Sequence, residues 1–141
     1  MIRSDRGLSL LEMVVVLALV AIVLGLALPH WQRSLALQDL RYGTEQLATD
    51  LREAQERAKA ERKPYTVALT AGSATYWVRR NGGGFDHRGE LPRGLAPTSD
   101  VTVTFDAFGR PDGTYAIPLR NRAGVGIVRV SGAGGIEVEL P

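Results

Sequence analysis

The sequence predicts an α+β protein in which one long N-terminal helix, apolar in its first half and amphipathic in its second, packs on a small antiparallel β-sheet head. Three observations predict it. From Leu8 to Leu28 runs LSLLEMVVVLALVAIVLGLAL, an apolar stretch in which Glu12 is the single ionisable side chain. After Pro29 the apolar residues thin to one stripe at helical spacing. Beyond Pro64 short alternating runs rich in Val, Thr, Tyr and Ile are separated by glycine-rich turns, the signal of strands and hairpins. A chain of 141 residues has room for one compact domain and an accessory segment. The segments read as a leader at 1–7, a transmembrane helix at 8–29, the amphipathic half of the same helix at 30–63 and a β-rich head at 64–141.

The apolar run spans ~30 Å as a helix, the thickness of a bilayer core. Arg3 and Arg6 precede it, so the positive-inside tendency keeps the short leader in the cytoplasm and sends the head across the membrane. A secretory signal peptide shares the basic start, but its apolar region is usually about 7–15 residues long. Here the nearest small-residue site, Gly25-Leu26-Ala27, lies just ahead of Pro29 and is a poor substrate. A plain single-pass anchor accounts for the length but has no use for Glu12. An ionisable side chain near a membrane helix centre costs roughly 2.5–3.5 kcal/mol, less near an end, so Glu12 marks a function.

Arg6-Gly7-Leu8-Ser9-Leu10-Leu11-Glu12 resembles the class III signal of type IV pilins and type II secretion pseudopilins. The resemblance implies that a prepilin peptidase cuts after Gly7 and methylates the new N-terminus at Leu8, which puts Glu12 at the fifth mature position. The family usually has Phe where this chain has Leu8, a change between large apolar residues. Pro29 matches the helix-kinking proline common in pilins. The chemistry supports the motif independently: cleavage removes Arg3 and Arg6 and creates an amine at Leu8, one helical turn above Glu12. When subunits stack, the amine of one can pair with Glu12 of its neighbour, and a buried carboxylate gains a partner only in that register. Glu12 is thus expected to act in assembly.

The amphipathic stripe is Leu40, Leu47, Leu51, Ala54 and Ala58, with Glu45, Asp50, Arg52, Glu53, Glu56, Arg57 and Lys59 on other faces as a solvated surface. Pro29 and Gly43 are the expected bending points. The helix is expected to end near Arg62, because Lys63 precedes Pro64 and is biased away from the α region. Tyr65–Leu69 and Thr75–Arg79 flank Ala71-Gly72-Ser73-Ala74 as a hairpin. Val101–Phe105 is a third strand, Thr114–Leu119 a fourth, and Gly126–Val130 with Ile136–Leu140 a final hairpin. Asn81 to Asp100 is expected to be loop. The passage from Leu51 to Val67, together with Val103-Thr104-Phe105-Asp106-Ala107-Phe108-Gly109-Arg110 and Val128-Arg129-Val130-Ser131-Gly132, resembles the GspH/FimT group of minor pilin-like proteins. That group normally shows Gly-Arg near its last strand, where this chain has Gly134-Gly135-Ile136.

Composition narrows the chemistry. The chain has no cysteine, which removes disulfides, thiol nucleophiles and Cys-based zinc sites. His30 and His87 are the only histidines and neither has a neighbouring nucleophile, so no catalytic residue is assigned and the protein is read as a non-enzyme without cofactor. His30 is placed at the membrane interface beside Trp31. Asn81-Gly82-Gly83-Gly84 lacks the Lys-Ser/Thr of a phosphate loop and reads as a flexible loop. Asp100, Asp106 and Asp112 are spaced unlike an EF-hand, and no metal site is assigned. A nucleic-acid surface from Arg79, Arg80, Arg88 and Arg93 with Tyr76 and Trp77 is the alternative weighed. It is not favoured, because adjacent strand residues face opposite ways, Glu137 and Glu139 make the C-terminus acidic, and the formal net charge is only +2.

What the resemblance implies, then, is a structural subunit of a filament assembled from the inner membrane, first of all the pseudopilus of a type II secretion system. The alternative is a type IV pilus minor pilin serving pilus assembly, adhesion or DNA uptake. The implied partners are other pilin-like subunits, the prepilin peptidase and an inner-membrane assembly platform. The implied location is the inner membrane, single-pass, with the head in the periplasm or exterior.

Overall fold

The computed structural model describes residues 9–141. It contains one helix, α1 (Leu10–Glu61), followed by eight strands: β1 (Tyr65–Leu69), β2 (Thr75–Arg80), β3 (Asp86–Glu90), β4 (Ala96–Pro97), β5 (Val101–Phe105), β6 (Tyr115–Arg120), β7 (Val125–Val130) and β8 (Ile136–Glu139). The chain divides into two compact units, 1–34 and 35–141. In the first, the described residues from Leu10 onward are helical, and their apolar side chains from Leu10 to Leu26 are exposed. α1 is the one described helix long and apolar enough to cross a membrane. Its assignment runs unbroken through Pro29.

In the second unit the remainder of α1 buries the expected stripe. Leu40, Leu47, Leu51, Ala54 and Ala58 are wholly inaccessible, joined by Thr44 and Ala48. Thr44 satisfies its hydroxyl by donating to Leu40 O at 2.6 Å. Gly43, expected as a bending point, has a packing role: a Cβ there would collide with the side chains of Leu95 and Pro92. The helix stops where Arg62 takes a left-handed conformation (φ 55°) and the Lys63 amide donates to Ala58 O at 3.2 Å. This is a Schellman-type close, after which Pro64 cannot continue the helix.

The eight strands form two four-stranded antiparallel sheets, ordered β3-β2-β1-β5 and β4-β6-β7-β8, where the sequence suggested one. One core joins helix and sheets, fed by alternating inward residues such as Tyr65, Val67 and Leu69 on β1, Val103 and Phe105 on β5, Ile117 and Leu119 on β6, and Val128 and Val130 on β7. Gln55, buried on α1, ties the two turn regions together by donating to Gly109 O at 2.8 Å and Gly134 O at 3.1 Å.

Asn81 to Asp100 is not all loop: it contains β3 and β4. The sequence of β3, DHRGE, carries no apolar alternation, and its single buried position is Gly89. Tyr76, the residue paired with Gly89 across β2 and β3, lays its ring over that glycine, so a Cβ there would strike it. A neighbour's aromatic ring thus supplies the apolar surface β3 lacks. β4 is two residues long and lies at a sheet edge, where Pro97's missing N–H breaks no central ladder. The Asn81–Gly84 turn is pinned rather than free. The Arg80 side chain donates to Gly83 O at 2.6 Å and to Glu61 at 2.8 Å, and it passes so close to Gly84 that a Cβ there would clash.

Candidate functional site

The processing residues Gly7 and Leu8 lie outside the described residues. The description begins at Ser9, whose carbonyl accepts the Met13 amide at 3.1 Å and so starts the helix. Glu12 stands exposed in the first turn of α1, three residues after Ser9. A carboxylate there faces the partial positive charge of the helix N-terminus. On both sides of it along α1 the apolar surface is open: Leu10 is 82% and Leu26 74% exposed in the isolated chain. Water does not tolerate a continuous face of this kind, so lipid or other helices must cover it. The His30 side chain lies outside the described ones, while Trp31 is exposed.

In the head, the structure gathers Trp77, Arg79 and Arg88 of the residues considered for nucleic acid on one face and places Tyr76, Arg80 and Arg93 elsewhere. Trp77 sits on the open face of β2 with the Arg79 guanidinium 4.8 Å and that of Arg88 5.9 Å from its ring, but Arg79 is committed to Asp86 at 2.8 Å. Arg80 turns away to Glu61, and Arg93 lies in the turn between Pro92 and Leu95. Tyr76 is buried and donates its hydroxyl to Asp50. Burial first, and then Asp50, push that hydroxyl far above the ordinary tyrosine range. It offers no stacking surface.

The three aspartates each accept backbone amides of the head. Asp100 accepts the Ala71 amide at 2.6 Å. Asp106 accepts those of Phe108 at 2.8 Å and Arg110 at 2.9 Å, and these backbone bonds, Arg110's foremost, lower its pKa. Asp112 accepts the Thr104 amide at 3.1 Å and the Tyr115 hydroxyl at 2.9 Å. Among the described residues no group of three or more His, Cys, Asp or Glu converges as a metal site.

His87 instead borders a cleft of about 280 Å³ between α1 and β2–β3, whose walls include Asp50, Glu53, Ala54, Val78 and Phe85. Arg57 lies over the Phe85 ring at 4.5 Å and pairs with Glu53 at 2.7 Å. The Glu53 bond is the main cause of the raised Arg57 pKa. Sequence reasoning missed this cleft because Phe85 and His87 fell in a presumed loop. The one buried side-chain polar atom without a hydrogen bond among the described residues is Tyr65 Oη. Its pKa is raised, chiefly by burial.

Known proteins agree with this geometry. Residues 2–28 match the family described as the prokaryotic N-terminal methylation motif. Two crystal structures of the type IV minor pilin FimU from Pseudomonas aeruginosa share the fold. One has a TM-score of 0.56 at 16% identity, covering 71% of this chain and 92% of FimU. The other has 0.57 at 17%, covering 72% and 89%. At such identities the likeness is one of fold. No curated protein matches the chain by sequence. The chain thus carries a match to the prokaryotic N-terminal methylation motif over residues 2–28 and has the α+β fold of a type IV minor pilin.

Proposed function

We propose that this protein is a minor pilin-like structural subunit of a type IV pilus-like filament assembled from the inner membrane, without enzymatic activity of its own. The observation that carries the reading is the exposed apolar first part of α1 with Glu12 in its first turn. That surface suits a membrane before assembly and a bundle of like helices after it. A prepilin peptidase would cut after Gly7 and methylate Leu8, and a membrane assembly platform would draw the subunit out with its head in the periplasm or exterior. The GspH/FimT group is the subgroup we assign. The likeness to FimU, a type IV minor pilin, favours a pilus. The pseudopilus of a type II secretion system is the second reading, favoured by the same N-terminal signal.

The test is Glu12→Ala in cells carrying the rest of the machine. The variant should insert and be processed normally, since Gly7 is untouched, while leaving the Leu8 amine of a neighbour unpaired. Breaking a buried ion pair costs about 3–5 kcal/mol, so incorporation into sheared filaments should collapse. Mass analysis of the mature chain should show a methylated Leu8 start. Normal assembly of the variant, or a chain starting at Met1, refutes the reading. Loss of surface pili in a deletion strain, against loss of secreted proteins, separates the two machines.

A further inference from the structure

Phe108 is 66% exposed on the turn after β5, an unusual place for an aromatic side chain. That turn is rigid. Asp106 Oδ1 holds the amides of Phe108 and Arg110, the Gly109 amide donates to Asp106 O at 2.9 Å, and Gln55 fastens Gly109 O to the helix. Beside the ring stands Arg62, its guanidinium 5.9 Å from the centroid. Arg62 is exposed, and among the described residues it has no ion-pair partner. A rigid aromatic next to an unpaired arginine has the composition of an interface anchor.

The same head carries a receptor of matching chemistry. The cleft between α1 and β2–β3 is lined by the apolar Ala54, Val78 and Phe85 and by Asp50, Glu53, His87 and Arg57. The Arg57 charge over the Phe85 ring is already answered by Glu53, so Asp50 is the carboxylate left for an incoming cation. Asp50 accepts the Tyr76 hydroxyl but has no ion-pair partner among the described residues. At about 280 Å³ the cleft falls just below the roughly 300–1,000 Å³ of small-molecule sites, a size suited to one large side chain. The two features face apart. Arg52, Gln55 and Lys59 meet the Ile136 and Gly109 side of the head, while Asp50, Glu53, Ala54 and Arg57 line the cleft. At 3.6 residues per turn these two sets lie about half a turn apart on α1.

We propose that Phe108 and Arg62 of one copy dock into the cleft of a second copy, with the ring against Ala54 and Val78 and the guanidinium toward Asp50. A symmetric contact through Phe108 alone would set Arg62 against Arg62, so the contact is head to tail. Each docked copy keeps one anchor or one cleft open for a further neighbour. This deepens the filament reading and rests on it.

The chain's lack of cysteine makes engineered thiols unique. Two differently tagged full-length copies, one Arg110→Cys, which leaves the Phe108 ring in place, and one His87→Cys, are expressed together in membranes of a host without other filament subunits and treated with a short bismaleimide. Both sites are exposed, so the fold is kept. The expected result is a mixed-tag dimer that needs both thiols, and a ladder of multimers from the double variant. Arg62→Glu should cut the yield about fivefold, the effect of one modest ion pair, and Asp50→Asn on the other copy, which keeps an acceptor for the Tyr76 hydroxyl, should cut it by a similar factor against unaltered Arg62. No mixed dimer, equal cross-linking by Arg110→Cys alone, or indifference to Arg62→Glu overturns the proposal. If the contact fails while Glu12-dependent incorporation stands, this interface falls and the filament reading survives.

Discussion

Gln55 is the residue whose loss should cost the head most for its size. It is buried, and its one amide nitrogen serves two carbonyls from the two turn regions, Gly109 O and Gly134 O. In Gln55→Ala both lose that donor. Each hydrogen bond contributes about 0.5–1.5 kcal/mol net, and a carbonyl left buried and unpaired costs about 1–3 kcal/mol. Gly134 is half-buried and water can replace part of its loss, whereas Gly109 is buried. The sum is about 2–4 kcal/mol. Gln55→Glu is the sharper variant, because at neutral pH it sets a carboxylate against two carbonyl oxygens. Its folded pKa should rise, so its stability should be greatest in acid, where a protonated carboxyl can donate, and fall as pH rises. The assay is urea unfolding of a fragment starting at Gln32, in which Trp77 is the sole tryptophan and reports by fluorescence. A Gln55→Ala loss under about 0.5 kcal/mol, or a Gln55→Glu variant as stable as the parent at neutral pH, would refute the reasoning.

That fragment should itself be soluble and show mixed helix and strand by circular dichroism, because the core lies wholly within 35–141; aggregation or a coil spectrum would contradict this. Gly43→Ala should destabilise it by about 1–3 kcal/mol through overpacking against Leu95 and Pro92, measured by the shift in urea midpoint. The raised Tyr76 pKa gives a stability contribution present in full below the ordinary tyrosine value of 10.0 and lost as pH climbs beyond it. Tyr76→Phe should flatten that alkaline loss in thermal melts between pH 8 and 11.

The sequence by itself determined the elements whose signals are local. The apolar run and Glu12 identified the membrane-compatible start of α1, and the Leu40 to Ala58 stripe identified the face that the core buries. The hairpins, expected at Tyr65–Arg79 and Gly126–Leu140 and found at Tyr65–Arg80 and Val125–Glu139, followed from alternation interrupted by glycine turns. Tertiary structure alone decided the rest. β3 was invisible because its inward position is Gly89, filled by Tyr76 from the adjacent strand. With β3 and β4 taken for loop, the division into two sheets was hidden, and so was the cleft beside Phe85. Gly43 and Gln55 likewise gain their roles from segments distant in sequence: one leaves room for Leu95 and Pro92, the other holds two turns. The physical reason is common to all of them. Periodicity records which face of a segment is apolar, whereas a filled glycine, a shared donor or a cleft depends on what another segment brings to that face.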